Sequence, residues 1–190
     1  KIEKLKVGPY TDDNVDFGPV ISKESKETIL GYLERSLKEG AKLVTDGRNP
    51  EILKTLNGFY LGPTLLDEVT PDMEIFKYEV FGPVRIVVRA DSLQEAIDII
   101  NSHELGNGVT IFTNNGAAAR KFQDEIEVGM VGVNVPIPIP VGYHNFAGWK
   151  RSNFGTGVMF GPDQANFYTK RKTISEKWLD VDTESKVTFA

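Results

Sequence analysis

Between residues 84 and 133 the chain alternates strand, helix, strand, helix, strand, and that succession restricts it to an α/β fold with parallel pairing. Val84-Arg85-Ile86-Val87-Val88 is a β-branched run of strand character. Ser92 and Glu95 then form a capping-box pattern, and Leu93, Ala96, Ile97 and Ile100 fall on one helical face. Residues 109–113 read as strand, residues 116–126 as helix through Ala119, Phe122 and Ile126, and residues 130–133 as strand again. Helical crossovers of this length connect parallel neighbours with a right-handed turn, so one parallel sheet is expected.

The flanks are less regular. Ile29, Leu33 and Leu37 repeat at four-residue spacing, Leu30 widens the stripe, and Gly40 is placed to end a helix over residues 22–39. Residues 41–45 read as a short strand closed by Asp46-Gly47. Residues 58–66 read as an edge or irregular strand, because Gly62-Pro63 interrupts them. Beyond Asn134, Pro136, Pro138 and Pro140 alternate with Ile137 and Ile139, which forbids a central strand and favours an extended segment. Residues 142–161 are loop-rich, and residues 167–174 suit one last strand at an exposed edge or subunit contact. After Trp178 the chain becomes a polar tail, and no repeat, low-complexity segment or interdomain linker is evident.

Composition narrows the partners. With 190 residues, 40% hydrophobic and 26% charged, the chain reads as one soluble globular domain. A net charge of −5 argues against nucleic acid or an anionic membrane as partner, and the Lys170-Arg171-Lys172 run is offset by Glu176 and the acids after it. No apolar stretch approaches the ~20 residues that span a bilayer, and no signal peptide opens the sequence, so a cytoplasmic location is expected, or the mitochondrial matrix in a eukaryote. There is no cysteine, which excludes disulfides, thiolate metal sites and thiol catalysis within the chain. His103 and His144 lack metal-ligand spacing, so no metal site is expected. The opening at Lys1 reads as a course already under way, and the chain is expected to be part of a longer polypeptide.

Generic chemical motifs are missing. No Gly-x-Ser-x-Gly elbow exists, and no Gly-x-Gly-x-x-Gly phosphate loop follows a strand. The glycines at 106, 108, 155, 157 and 161 read as turn devices. One segment stands apart: Glu79-Val80-Phe81-Gly82-Pro83, directly before the strand at Val84. A Gly-Pro bend can fix the side chains before it, a carboxylate can accept hydrogen bonds from ribose hydroxyls, and an aromatic face can stack on a planar ring. On spacing alone, a surface Glu79 beside a core Phe81 is the favoured description of the segment, ahead of a ligand-binding one.

The run Glu79-Val80-Phe81-Gly82-Pro83-Val84 resembles a signature of the aldehyde dehydrogenases. Further stretches resemble that family in its order: Gly18-Pro19-Val20-Ile21, Lys38-Glu39-Gly40-Ala41-Lys42-Leu43, Gly58-Phe59-Tyr60-Leu61-Gly62-Pro63-Thr64-Leu65 and Val69-Thr70-Pro71-Asp72-Met73. Ile111-Phe112-Thr113, Gly129-Met130-Val131-Gly132-Val133-Asn134, Phe146-Ala147-Gly148-Trp149-Lys150-Arg151-Ser152 and Phe167-Tyr168-Thr169-Lys170-Arg171-Lys172-Thr173 continue the series. Asn107-Gly108 and Val133-Asn134-Val135-Pro136-Ile137-Pro138-Ile139-Pro140 are similar to the methylmalonate-semialdehyde dehydrogenase branch, whose members make acyl-CoA.

The resemblance implies residues 1–178 as the C-terminal part of a parallel-sheet catalytic domain, incomplete in this chain, with an oligomerisation strand at about 166–176. It implies NAD as cofactor, coenzyme A as co-substrate, a small aldehyde as substrate, and a homo-oligomer. In the family a cysteine thiolate attacks the aldehyde, hydride passes to NAD, and water or coenzyme A releases the thioester. The cysteine, its glutamate base and the amide oxyanion donor lie upstream in family members, so no catalytic residue is expected here. Glu79 matches the carboxylate that holds the nicotinamide ribose, and Phe81 the aromatic against the nicotinamide ring. Phe146 matches an aromatic of the substrate tunnel, with a loop anchor as the equal alternative; Asn134 ends a strand and fixes the proline segment. Many members carry a proton-relaying Glu just beyond Ser152, whereas here Asp163 is the first acid. Ser25 stands where some members have a Gln near the adenine. The competing reading is a non-catalytic scaffold or oligomerisation module built on the same framework. Either way, an isolated piece should expose apolar surface and self-associate or retain a partner.

Overall fold

Gly40 and Ser22 bracket the first long helix as their chemistry dictates. The computed structural model describes residues 1–178, and the expected polar tail of residues 179–190 lies outside them. In chain order the regular elements are α1 (Lys23–Glu39), β1 (Lys42–Thr45), β2 (Thr64–Asp67), α2 (Glu74–Lys77), β3 (Val84–Ile86), α3 (Leu93–Ser102), β4 (Leu105–Gly106), β5 (Gly108–Ile111), α4 (Gly116–Glu125), β6 (Met130–Val133), β7 (Trp149–Lys150) and α5 (Gln164–Tyr168). They group into two compact units. The first takes residues 1–104 and 113–127; the second takes 105–112 and the described chain from 128 onward.

In the first unit, Ser22 Oγ accepts from the Ser25 N–H at 3.1 Å, and Gly40 at φ 109° closes α1 as only a residue without Cβ does at no steric cost. The apolar stripe of α1 lies on a three-stranded sheet of order β1-β2-β3. β1 runs antiparallel to β2, and β2 parallel to β3 with Thr64 opposite Val84. Ile29 and Leu33 from the helix meet Leu66, which is fully buried on β2, together with Leu61, Val69, Met73 and Ile75. The end of β2 is pinned by charge. Asp67 Oδ1 accepts from Arg89 Nε at 2.9 Å and from the Glu68 N–H at 2.8 Å, so the guanidinium first and the amide second hold this carboxyl below its usual range.

The helix α3 begins at a modified capping box. Ser92 Oγ accepts from the Glu95 N–H at 3.1 Å, while Glu95 Oε2 reaches past Ser92 and accepts from the Asp91 N–H at 2.7 Å. Replacing Ser92 by alanine is therefore expected to cost about 1 kcal/mol, read as a lower urea midpoint at unchanged slope. At its other end, Asn101 donates Nδ2–H to the Glu125 carbonyl at 2.7 Å and accepts the Glu127 N–H at 2.8 Å, tying α3 to the end of α4. Ile97 and Phe122 are the buried residues of these two helices.

In the second unit, β5 and β6 pair in parallel from Gly108 opposite Met130 to Ile111 opposite Val133. β4 and β7 form a two-residue antiparallel ladder. Gly129 passes so close to the neighbouring backbone that a Cβ there would lie 2.0 Å from the Ala147 carbonyl oxygen and 2.8 Å from Gly148 Cα. Asn134 ends β6 at φ 57°, its N–H donating to the Ile111 carbonyl at 2.8 Å, and turns the chain into the proline segment.

The α/β class holds, with three corrections. The expected single parallel sheet is replaced by the β1-β2-β3 sheet, the β5-β6 pair and the β4-β7 ladder, and the first of these is mixed because the connection from β1 to β2 carries no crossover helix, which suits antiparallel neighbours. The strand expected over residues 58–66 begins only at Thr64, directly after Pro63, which has no N–H to give a ladder. The strand expected over residues 167–174 is a short helix to Tyr168 and then chain without regular pairing. A strand suited to pairing with another chain has no ladder to join within one.

Candidate functional site

The segment from Tyr78 to Val84 is where sequence and structure converge. After α2 the chain extends, and Val80 turns inward against the core cluster of the first unit. Its neighbours on either side, Glu79 and Phe81, are both exposed. Phe81 is 79% exposed and sits at φ 49°, in the left-handed region. For a residue with a bulky side chain that backbone costs about 1–2 kcal/mol, and such strain concentrates at functional sites. Downstream, the Pro83 carbonyl accepts the Thr64 N–H at 2.8 Å, which ties the bend to β2, and the Val84 N–H donates to the Gly82 carbonyl at 2.7 Å.

Phe81 lines two open clefts of the first unit. One, of about 460 Å³, is shared with Glu79, Tyr78, Phe76 and Arg85. The other, of about 780 Å³, is bounded by Phe17, Pro19, Ile21, Ser25 and Pro63. Glu79 makes no hydrogen bond or ion pair to another described residue, so its carboxylate keeps all its acceptor sites for a ligand. A carboxylate and an aromatic face on the same cleft wall fit a ribose and the planar ring it carries. A third cleft, of about 700 Å³ and lined by Lys6, Asp46, Glu51 and Lys54 among others, contains none of Glu79, Phe81 and Phe146.

The remaining expected residues lie elsewhere. Ser25 lines the larger cleft, where its N–H donates to the capping Ser22 Oγ rather than remaining open to a ligand. Phe146 belongs to the second unit, is half-buried, and stacks on Phe160 with ring centroids 3.8 Å apart and planes 22° apart. That contact supports the loop-anchor reading of Phe146, since the face available for a substrate is partly taken. The stretch 153–162 without acid contains Phe154, 97% exposed, and the left-handed Gly155.

Sequence reasoning missed the left-handed Phe81, for which no residue-type signal exists. It also missed the left-handed Lys150 at φ 52° beside the two-residue strand β7. For Asn134 a signal was available, because asparagine is among the residues that enter that region most readily.

Comparisons with known proteins bear on the family of the chain. Residues 1–174 match the aldehyde dehydrogenase family model. A malonate-semialdehyde dehydrogenase of Pseudomonas aeruginosa is 52% identical over 178 residues, covering 94% of this chain and 36% of the relative. The crystal structure of a methylmalonate-semialdehyde dehydrogenase from Oceanimonas doudoroffii superposes with a TM-score of 0.88 at 52% identity, over 95% of this chain and 37% of that one. An NAD⁺ complex of a Mycobacterium tuberculosis aldehyde dehydrogenase gives 0.80 at 32% identity, over 90% and 34%. The chain thus spans little more than a third of the length of these relatives. With nearly every described residue inside one family match and the backbone following it, the chain belongs to the aldehyde dehydrogenase family.

Proposed function

We propose that this chain is the C-terminal part of the catalytic domain of an NAD-dependent aldehyde dehydrogenase that oxidises a small semialdehyde of the malonate or methylmalonate type to an acyl-CoA. The observation that carries the reading is the pairing of an unengaged Glu79 carboxylate with a strained, exposed Phe81 on one cleft wall. NAD, when bound, accepts the hydride from the substrate carbon. Glu79 accepts hydrogen bonds from the nicotinamide ribose hydroxyls, and the Phe81 face limits the ring to one orientation, so both residues act by positioning. Reaction at a thiolate requires a cysteine that this sequence does not contain, so the nucleophile comes from polypeptide preceding these residues. Coenzyme A as acyl acceptor is supported by the absence of any acid between Asn153 and Pro162 to relay protons from water. The assembled enzyme is a homo-oligomer joined in part through residues 166–176, located in the cytoplasm or the mitochondrial matrix.

Two assays test this. The purified chain alone should show no dehydrogenase or esterase turnover; activity that survives stringent purification would overturn the proposal. In the full-length protein, Glu79→Gln and Phe81→Ala should each lower turnover about 10- to 100-fold, through misplaced cofactor rather than lost nucleophile. Covalent trapping of the cysteine by an aldehyde analogue should persist in both variants. Unchanged steady-state kinetics in both would leave the scaffold reading as the better one.

A further inference from the structure

We infer that the fit of Ile29 against Gly82 is a positioning device that sets the pose of Phe81; the inference rests on the reading of Phe81 as one wall of the nicotinamide site. Gly82 follows the strained residue directly. A Cβ built on it would lie 2.6 Å from Ile29 Cδ1, 3.2 Å from Cγ1 and 3.5 Å from Cγ2. Ile29 is 1% exposed on α1, inside the core cluster, so its tip has no free volume into which to withdraw. Its φ lies outside the left-handed range that would itself require glycine, so close approach is the reason for glycine here.

The bend is therefore held from three sides. Val80 is anchored inward before Phe81, Gly82 is pressed against α1 after it, and Pro83 is bonded to β2 through the Thr64 N–H at 2.8 Å. Between two fixed neighbours the backbone of Phe81 has little choice, and the left-handed conformation at φ 49° is what lets the ring stay 79% exposed while Val80 is packed. In this arrangement the identity of a core residue on α1 determines where a cofactor-facing ring stands. Ile29 lies in the core and lines neither cleft, so it acts through Gly82 and Phe81, while Gly82 itself lies on the wall of both clefts.

The test is a compensation experiment in the full-length protein. Gly82→Ala drives a methyl into Ile29 and should raise KM for NAD about tenfold, with KM for the aldehyde within about twofold, because a misplaced contact weakens the ligand it serves. Ile29→Val removes Cδ1, the nearest atom, and leaves 3.2 Å to the next. The double variant Ile29→Val/Gly82→Ala should therefore return KM for NAD to within about threefold of the parent, a coupling expected of residues in contact. Thermal melts accompany each variant. Recovery of stability in the double variant without recovery of KM for NAD overturns the positioning role, as does equal loss for both substrates in Gly82→Ala. Should Gly82→Ala fail to fold, the double variant is compared with Ile29→Val alone, and a folded double variant with a tenfold higher KM for NAD is the overturning result. Phe81→Ala keeps the two levels apart: if it leaves NAD kinetics unchanged, the nicotinamide reading itself fails, whereas a response to Phe81→Ala with no response to Gly82→Ala removes only the positioning device.

Discussion

Truncating Leu66 to alanine is expected to cost about 3–4 kcal/mol and to lower the thermal midpoint by on the order of 10 °C. Leu66 is 0% exposed on the central strand β2, where it contacts the helix α1 and the residues that follow the strand. It shares one buried cluster with Ile29 and Leu33, which stand on a helix capped at both ends, so the close-packed surroundings have little freedom to collapse into the space. The neighbouring backbone bonds Thr64 N–H to the Pro83 carbonyl and Val87 N–H to the Leu66 carbonyl bind the strand on the side of β3, leaving little slack for relaxation. Differential scanning calorimetry decides the matter, and a drop of less than about 1 kcal/mol would mean that the core re-forms around the gap.

Gly129→Ala should be of similar size, with the loss confined to the second unit. The added methyl would overlap the Ala147 carbonyl oxygen at 2.0 Å and Gly148 Cα at 2.8 Å, and both are main chain. No side-chain rotation relieves that contact, so the segments must part, breaking the bonds from the Gly129 N–H to the Gly106 carbonyl at 2.9 Å and from the Met130 N–H to the Asn107 carbonyl at 3.1 Å. The expected cost is about 3 kcal/mol, at the upper end of overpacking. Hydrogen exchange resolves the location: amides of β5 and β6 should lose protection while those of α1 keep theirs. Uniform loss across both units would count against local overlap.

What the sequence revealed follows from the range of the forces involved. α1, α3, α4 and β6 were placed to within about a residue because their signals are local: Ser22 and Ser92 cap, Gly40 stops, and apolar spacing marks a face. Pairing was harder to read. That β1 would run antiparallel to β2, or that β3 and β5 would join different sheets, depends on which strands meet, and no residue in a strand states its partner. The strand expected near Phe167 illustrates the same limit, since its alternation and charge describe an edge but not what the edge meets. At the candidate site, residue types point to Glu79 and Phe81, and in the structure both line one cleft. The left-handed turn at Phe81 was invisible, because it arises from Val80 on one side and the Gly82–Ile29 contact on the other rather than from phenylalanine itself.

The division of residues between the two units carries a consequence for anyone wishing to dissect the molecule. The chain leaves the first unit after residue 104, re-enters it at 113 and departs again after 127. A protease nick at any one of these crossings leaves the halves joined through the other two, and neither half can be excised as an unbroken stretch. A truncation after residue 104 would strip α3 of the helix end its Asn101 is bonded to. The two units are interleaved along the polypeptide, so neither can be completed during synthesis before segments of the other have emerged.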